Sequence, residues 1–274
     1  MKKKIKRIIL NLVLIIVAFC QIVPIVIIAF NSFRTDKSIK KFPIGLPNQA
    51  NFDNFINAWN IGGYTRAYIN SIMVSVITTL IVLTLSMLMG YFMAKSNIRI
   101  KNSLLVYFGV AMSIPLLSFL APLYFGFSEL DLVNRHLGLI LIYIATNLPF
   151  NILLSRTFIL GIPNELSEAA LIDGCGIFQI IGKIIFPLSK PIVTTIALIV
   201  FVSTWNEFTI ANTFLQESVL KTVSTRYVLF VTEKGADLAM IFTAAMISML
   251  PIVLVFILLQ NYFVEGMTAG SVKA

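Results

Sequence analysis

The chain has 274 residues, of which 58% are hydrophobic and only 12% charged. Soluble domains carry about 25% charged and about 45–50% apolar residues, so this chain could not cover the surface of a water-soluble enzyme, and a disordered chain or a disulfide scaffold is excluded on the same grounds. The formal charge of +9 first suggests nucleic acid, but in a membrane chain basic residues set orientation instead.

A spanning helix needs about 20 mostly apolar residues. Six stretches qualify, over 8–30, 69–94, 103–127, 137–155, 192–215 and 238–264. The first follows Lys2, Lys3, Lys4, Lys6 and Arg7. It is longer than the ~7–15 residues of a signal-peptide core and has no small-x-small cleavage site, so it reads as an uncleaved span. With the N-terminus inside, twelve of the 21 Lys and Arg fall on inner segments. The other nine lie mostly in two long outer loops, which the orientation rule discounts. The expected fold is an all-α membrane protein with both termini cytoplasmic, a single transmembrane domain over 1–274 and no linker that divides it.

Within the spans, Pro24, Pro115, Pro122, Pro149 and Pro251 interrupt the helical pattern, which bilayers tolerate where neighbours satisfy the freed carbonyls. Ser71, Ser75, Thr78 and Thr79 in the second span, and Asn147 and Asn151 in the fourth, are polar enough to face protein rather than lipid, along a bundle interior or a polar path. Cys20 and Cys175 are too few for a disulfide framework, and His136, the only histidine, leaves no metal-ligand cluster. No catalytic residue and no metal site is expected.

The segment over 161–191, between spans four and five, is the most informative. Asn164 can cap a short helix, Glu165 suits its positive end, and Gly174 suits the left-handed residue that stops it. Ala169 and Ala170 are small enough for another protein to approach the backbone. Beyond the turn, Ile177, Ile180, Ile181, Ile184 and Ile185 recur at helical spacing until Pro187 and Pro191. By these features alone it could equally be a surface loop lying on the headgroups.

The same residues carry a resemblance. Glu168-Ala169-Ala170, Gly174 after three residues, Ile184 after nine more and Phe186-Pro187 resemble the EAA loop of ATP-binding-cassette importer permeases, with Phe186 where leucine is usual. Asn51-Phe52-Asp53-Asn54-Phe55, Asn70-Ser71, Pro122-Leu123-Tyr124, Trp205-Asn206-Glu207-Phe208 and the tail from Gly266 to Lys273 resemble the carbohydrate-uptake branch, and within it the smaller permease subunit of maltose-type transporters. The resemblance implies a type I ABC importer permease fold in a prokaryotic cell membrane. It implies three partners: a cytoplasmic ATP-binding subunit, a second homologous permease and an extracytoplasmic sugar-binding protein. In such a system the loop is a coupling helix, with Glu168 as charged anchor beside Asp173. Ala169, Ala170 and Gly174 would permit close docking, and Ile184 with Pro187 would fix the loop to the bundle. The chain lacks the phosphate-cradling Gly-x4-Gly-Lys-Ser/Thr loop, so ATP and Mg are expected on the ATPase and no cofactor on this chain.

Trp205, Asn206, Glu207 and Phe208 lie high in the fifth span. An indole can stack on a sugar ring while the amide and carboxylate bond its hydroxyls, and an intramembrane carboxylate is a site candidate by default. The alternative is that Trp205 packs against a helix and Glu207 holds a helix end or pairs with an arginine. The outer segment from Gln216 to Asp237 could reach a binding protein or simply be solvated. The tail, through Gly266, Thr268, Ala269 and Gly270, either frays or reaches the ATPase. The expected function is a permease subunit of an ATP-driven sugar or oligosaccharide importer. Its rivals are an ion-coupled secondary transporter, which would need intramembrane relays where Glu207 stands alone, an importer permease for a non-sugar solute such as a glycerophosphate, and a membrane scaffold, which leaves the EAA loop unexplained.

Overall fold

The structure, a computed structural model, describes residues 2–96, 99–232 and 235–269. In chain order its helices are α1 (Lys2–Ser32), α2 (Asp36–Lys41), α3 (Asp53–Gly62), α4 (Tyr64–Lys95), α5 (Lys101–Ser113), α6 (Leu120–Glu129), α7 (His136–Leu160), α8 (Asn164–Ile172), α9 (Ile177–Ile180), α10 (Phe186–Leu188), α11 (Lys190–Asn206), α12 (Thr209–Phe214) and α13 (Leu238–Ala269). A π turn, Ile181–Ile185, joins α9 to α10, and 3₁₀ turns occupy Leu116–Phe119, Ser218–Leu220 and Val223–Phe230. The strands β1 (Val231–Thr232) and β2 (Gly235–Ala236) pair antiparallel, Val231 opposite Ala236.

Among the described residues, Lys6–Ser32, Tyr64–Lys95, His136–Leu160 and Leu238–Leu258 are long and apolar enough to cross a membrane. Two bent pairs, Lys101–Ser113 with Leu116–Glu129 at 82° and Ile177–Leu188 with Lys190–Asn206 at 84°, raise the number to six if each pair is one span. The third apolar stretch is therefore not one straight helix. It breaks at Pro115, whose missing N–H and fixed φ end α5 at Ser113. Pro24, Pro149 and Pro251 are instead carried inside α1, α7 and α13. The fifth stretch, expected as one helix over 192–215, is also broken: α11 ends at Asn206, Glu207 is extended (φ −66°, ψ 122°), and α12 starts at Thr209.

The chain divides into two compact units, one of residues 1–65 with 226–251 and one of residues 66–225 with 252–274. In the first, apolar side chains from Ile8 to Phe30 are exposed along α1, a surface suited to lipid rather than water. The Asn-Phe-Asp-Asn-Phe stretch acts at the end of that helix. Asn54 Nδ2 donates to the carbonyls of Ser32 and Arg34, both at 2.9 Å, and Phe33 packs its ring on those of Phe52 and Phe55. The buried Arg34 guanidinium donates to Asn31 Oδ1 and to the Ser38 carbonyl and hydroxyl. The amide of Leu238 donates to Asp36 Oδ1, and the Thr243 hydroxyl to the Ser32 carbonyl.

In the second unit α4 turns a stripe of small polar residues inward: Ser71, Ser75, Thr78, Thr79 and Ser86 are all buried. One turn beyond Ser86, at Gly90, α4 crosses α7. A Cβ on Gly90 would lie 2.1 Å from Ser155 Oγ and 3.0 Å from the Arg156 backbone nitrogen, while the Ser155 hydroxyl donates to the Ser86 carbonyl at 2.6 Å. Small residues admit close helix crossings of this kind, where packing rather than hydrophobicity drives association. Two apolar cores flank the crossing. One joins Val82, Met87 and Tyr91 of α4 to Ile159, Ala170, Ile180, Ile185, Ile192 and Ile196. The other joins Val74 to Leu139, Ile142 and Tyr143 of α7 and to Ile210, Ala211 and Phe214 of α12.

Candidate functional site

The loop between α7 and α11 folds as its residues require. Glu165 stands in the first turn of α8, and the helix stops at Gly174, whose φ of +81° is the left-handed conformation glycine adopts without strain. Nothing else of this chain lies within 4 Å of a Cβ built there, so within the chain Gly174 serves the backbone turn. Asn164 does not cap the helix with its side chain. It is the first helical residue, and its Oδ1 accepts from Lys95 Nζ at 2.7 Å.

The two alanines part company. Ser167 and Ala170, three residues apart on one face, are buried, and Ala170 joins the apolar core beneath α8. Ala170 thus faces the bundle, which corrects the expectation that both alanines are open to a partner; of the pair, Ala169 is exposed. The outer face carries Glu168, Ala169, Leu171, Ile172 and Asp173, with Ile172 87% exposed and Phe178, beyond the turn, 76% exposed. Of the residues expected to hold the loop to the bundle, Ile184 packs against that core, Pro187 is exposed, and Ile180, Ile181 and Ile185 are the buried anchors. Ile181 and Ile185, at the two ends of the π turn, both face inward, as residues four apart do.

Lys95 gained no role beyond orientation in the sequence. In the structure its ammonium, at the end of α4, donates to the Ile162 carbonyl as well as to Asn164 Oδ1, so it ties α4 to the start of α8. Its partners lie 67 and 69 residues away. A lysine ending an apolar helix is the only local signal, and it does not identify those partners.

At the other end of this unit, the break in the fifth stretch opens a cavity of about 520 Å³ lined by Pro115, Leu116, Leu117, Tyr143, Thr146, Asn147, Ser203, Thr204, Glu207 and Ile210. Both helix breaks thus border one space. In its polar wall Asn147 Nδ2 donates to the Tyr143 carbonyl and the Ser203 hydroxyl of α11 to Asn147 Oδ1 at 3.0 Å; behind it the buried Asn151 Nδ2 donates to the Asn147 carbonyl. Glu207 Oε1 accepts from the Ile210 amide at 2.9 Å, and Oε2 from the Ala211 amide at 2.9 Å and the Tyr143 hydroxyl at 2.7 Å.

The four residues of the Trp-Asn-Glu-Phe stretch do not converge. Trp205 is buried, at 2% exposure, stacked on Phe201 and in a T-shaped contact with Tyr68, so its indole is enclosed by protein. Asn206 is exposed and borders a separate, mostly apolar cavity with Leu198, Val202 and Phe256. Phe208, half-buried, lies in the break. Of the four, only Glu207 lines the cavity, and it holds a helix start, the second of the two roles considered for it.

The segment after α12 is stapled down rather than simply solvated. Asn134 Oδ1 accepts from the amides of Gln216 and Glu217, and Asn70 Nδ2 donates to the carbonyls of Val219 and Lys221. His136 Nε2 meets the Leu220 carbonyl at 2.9 Å, the Val223 amide donates to Ser71 Oγ, and the Ser224 hydroxyl donates to the Glu207 carbonyl at 2.7 Å. The Asn70-Ser71 pair therefore anchors this segment. In the tail, Gly266, Thr268 and Ala269 fall on the backbone of α13, while their side chains and the whole of Gly270 lie outside the described residues.

A family profile described as "Binding-protein-dependent transport system inner membrane component" matches residues 86–269. The chain is 34% identical to the probable ABC transporter permease protein YurM of Bacillus subtilis over 91% of its own length and 83% of that protein's. It is 32% identical to the melibiose/raffinose/stachyose import permease protein MelC of the same organism, over 97% and 96% of the two chains. Among solved structures, a bacterial ABC transporter involved in the import of the acidic polysaccharide alginate superposes with a TM-score of 0.78 at 23% identity, covering 96% of this chain and 98% of that one. The fold is that of type I ABC importer permeases. The chain belongs to the family of binding-protein-dependent transport system inner membrane components.

Proposed function

We propose that the chain is a translocation subunit of an ATP-driven importer for a sugar or oligosaccharide, with α8 as its coupling helix. The observation that carries this reading is the two-sidedness of α8. One face, through Ala170 and the Lys95 tie, is fixed to the bundle, while the other leaves Glu168, Ala169, Leu171 and Ile172 exposed. A helix held on one side and bare on the other is suited to receive a rigid-body movement from a partner and pass it into the spans. ATP and Mg would bind a separate ATPase, because this chain has no phosphate-binding loop. Glu168 offers that partner a charge and Ile172 an apolar knob.

The solute class is supported by relatives such as MelC, whose name specifies melibiose, raffinose and stachyose. It is supported also by the cavity's hydroxyl and amide wall of Thr146, Asn147 and Ser203, which suits a polyol. In this reading the path follows that cavity. Trp205 shapes its surroundings by packing, and Asn206 and Phe208 stand beside the break. A second, homologous permease would complete the pathway, a binding protein would deliver the solute, and both termini would be cytoplasmic. The residues Gly266, Thr268, Ala269 and Gly270 would lie on the ATPase side.

The test is purification of the tagged chain from its native membrane. Co-purification of an ATPase carrying a phosphate-binding loop and of a second permease is expected, with the ATPase lost on Ile172→Asp or Glu168→Lys. Retention of the ATPase by both variants would refute the coupling role of α8.

A further inference from the structure

We infer that Glu207 is a positioning residue: its carboxylate clamps the break in the fifth span, joining Tyr143 of α7 to the first turn of α12, and does not itself meet the solute. The inference rests on the reading of the 520 Å³ cavity as the solute path and assigns the one acid that lines it.

Three donors converge on the two carboxylate oxygens, the Tyr143 hydroxyl at 2.7 Å and the Ile210 and Ala211 amides at 2.9 Å each. These amides begin α12 and have no carbonyl partner within that helix, and in lipid an unmet amide costs several kcal/mol. A solute hydroxyl that took over the carboxylate would have to release them. The sugar-facing wall is better supplied by Thr146, Asn147 and Ser203.

The clamp also has a link outward. The Glu207 carbonyl accepts from Ser224, and the segment carrying Ser224 is held by Asn70, Ser71 and His136. A displacement of that segment therefore pulls on the residue whose extended backbone separates α11 from α12. Element ends that absorb a backbone change are where hinges form.

The test uses the purified complex in lipid nanodiscs and in vesicles, with Tyr143→Phe and Glu207→Gln. Tyr143→Phe removes one bond and little volume, so it keeps the test open should Glu207→Gln fold poorly. Hydrogen exchange at Ile210 and Ala211 is expected to quicken about tenfold in Tyr143→Phe, and at least as much in Glu207→Gln. With raffinose and melibiose as probes, both variants are expected to change the maximal uptake rate and leave the half-saturating concentration within about twofold, the double variant matching Glu207→Gln alone. Unchanged exchange at both amides overturns the clamp. So does a Glu207→Gln variant that raises the half-saturating concentration or alters preference between the sugars at an unchanged maximal rate. If the wild-type complex moves no sugar with ATP, the transport reading falls on its own, and the exchange result still decides the clamp.

Discussion

Lys95 Nζ, at the last residue of α4, donates to the side-chain oxygen of Asn164, the first residue of α8, at 2.7 Å. The bond ties α8 to the end of the second span, so in the proposed coupling it would give movement of α8 a second route into the bundle, beside the covalent link to α7. Lys95→Met is expected to leave the ATPase bound but lower the sugar moved per ATP hydrolysed by about fivefold, the size of one exposed hydrogen bond; Lys95→Arg, which keeps the donor, should recover part of it. The ratio of uptake to phosphate release in vesicles measures this, and an unchanged ratio in Lys95→Met would remove the second route.

The crossing of α4 and α7 at Gly90 leaves no room for a methyl group, since a Cβ would meet Ser155 Oγ at 2.1 Å and the Arg156 backbone at 3.0 Å. The side chain can turn away but the backbone cannot. Gly90→Ala is therefore expected to destabilise the folded chain by about 1–3 kcal/mol, and Gly90→Leu to abolish the folded form. Pairing Gly90→Ala with Ser155→Gly should recover only part of the loss, because Arg156 remains. Thermal unfolding in a single detergent compares the four chains, and a Gly90→Ala chain as stable as wild type would show that the crossing is looser than described.

Asp36 accepts from the Leu238 amide at 2.9 Å and pairs with Lys40 at 2.6 Å. Burial pushes its carboxyl upward, but the hydrogen bonds from Lys40 and Leu238 and the Lys40 charge outweigh this and hold it below the ordinary 3.8. A carboxyl lowered by folding stabilises above its unfolded value and loses that contribution as pH falls through the folded one. Protection of the Leu238 amide should thus persist down to about pH 4 and decline below it, by a modest and salt-sensitive amount since both side chains are partly exposed. In Asp36→Asn the acid step should vanish. An identical step in the variant would assign it to another group.

Composition alone marked the apolar stretches, because lipid requires long runs of one kind and charges are scarce enough to count. The turn at Gly174 was equally legible: a left-handed helix stop has a nearly unique residue. The inward direction of Ala170 was not legible, because the alanine pair shows small size but not direction; in the structure it shares a buried face with Ser167. The break at Glu207 was hidden, since the apolar pattern continues through it and only the carboxylate, which reads either as a ligand for sugar or as the holder of a helix end, marks where a new helix needs its amides capped. Lys95 and Ser224 were out of reach altogether. Their partners are distant in sequence, and no spacing rule connects a lysine at one helix end to an asparagine 69 residues on.

The central claim, that ATP closure at α8 drives sugar through this chain, is tested most directly by uptake of labelled raffinose into vesicles holding the purified complex and its binding protein. Accumulation is expected only with ATP at the face bearing α8, unchanged by an ionophore that collapses ion gradients, and lost on Ile172→Asp. Uptake that persists without ATP and disappears with the ionophore would contradict the account and establish an ion-coupled transporter in its place.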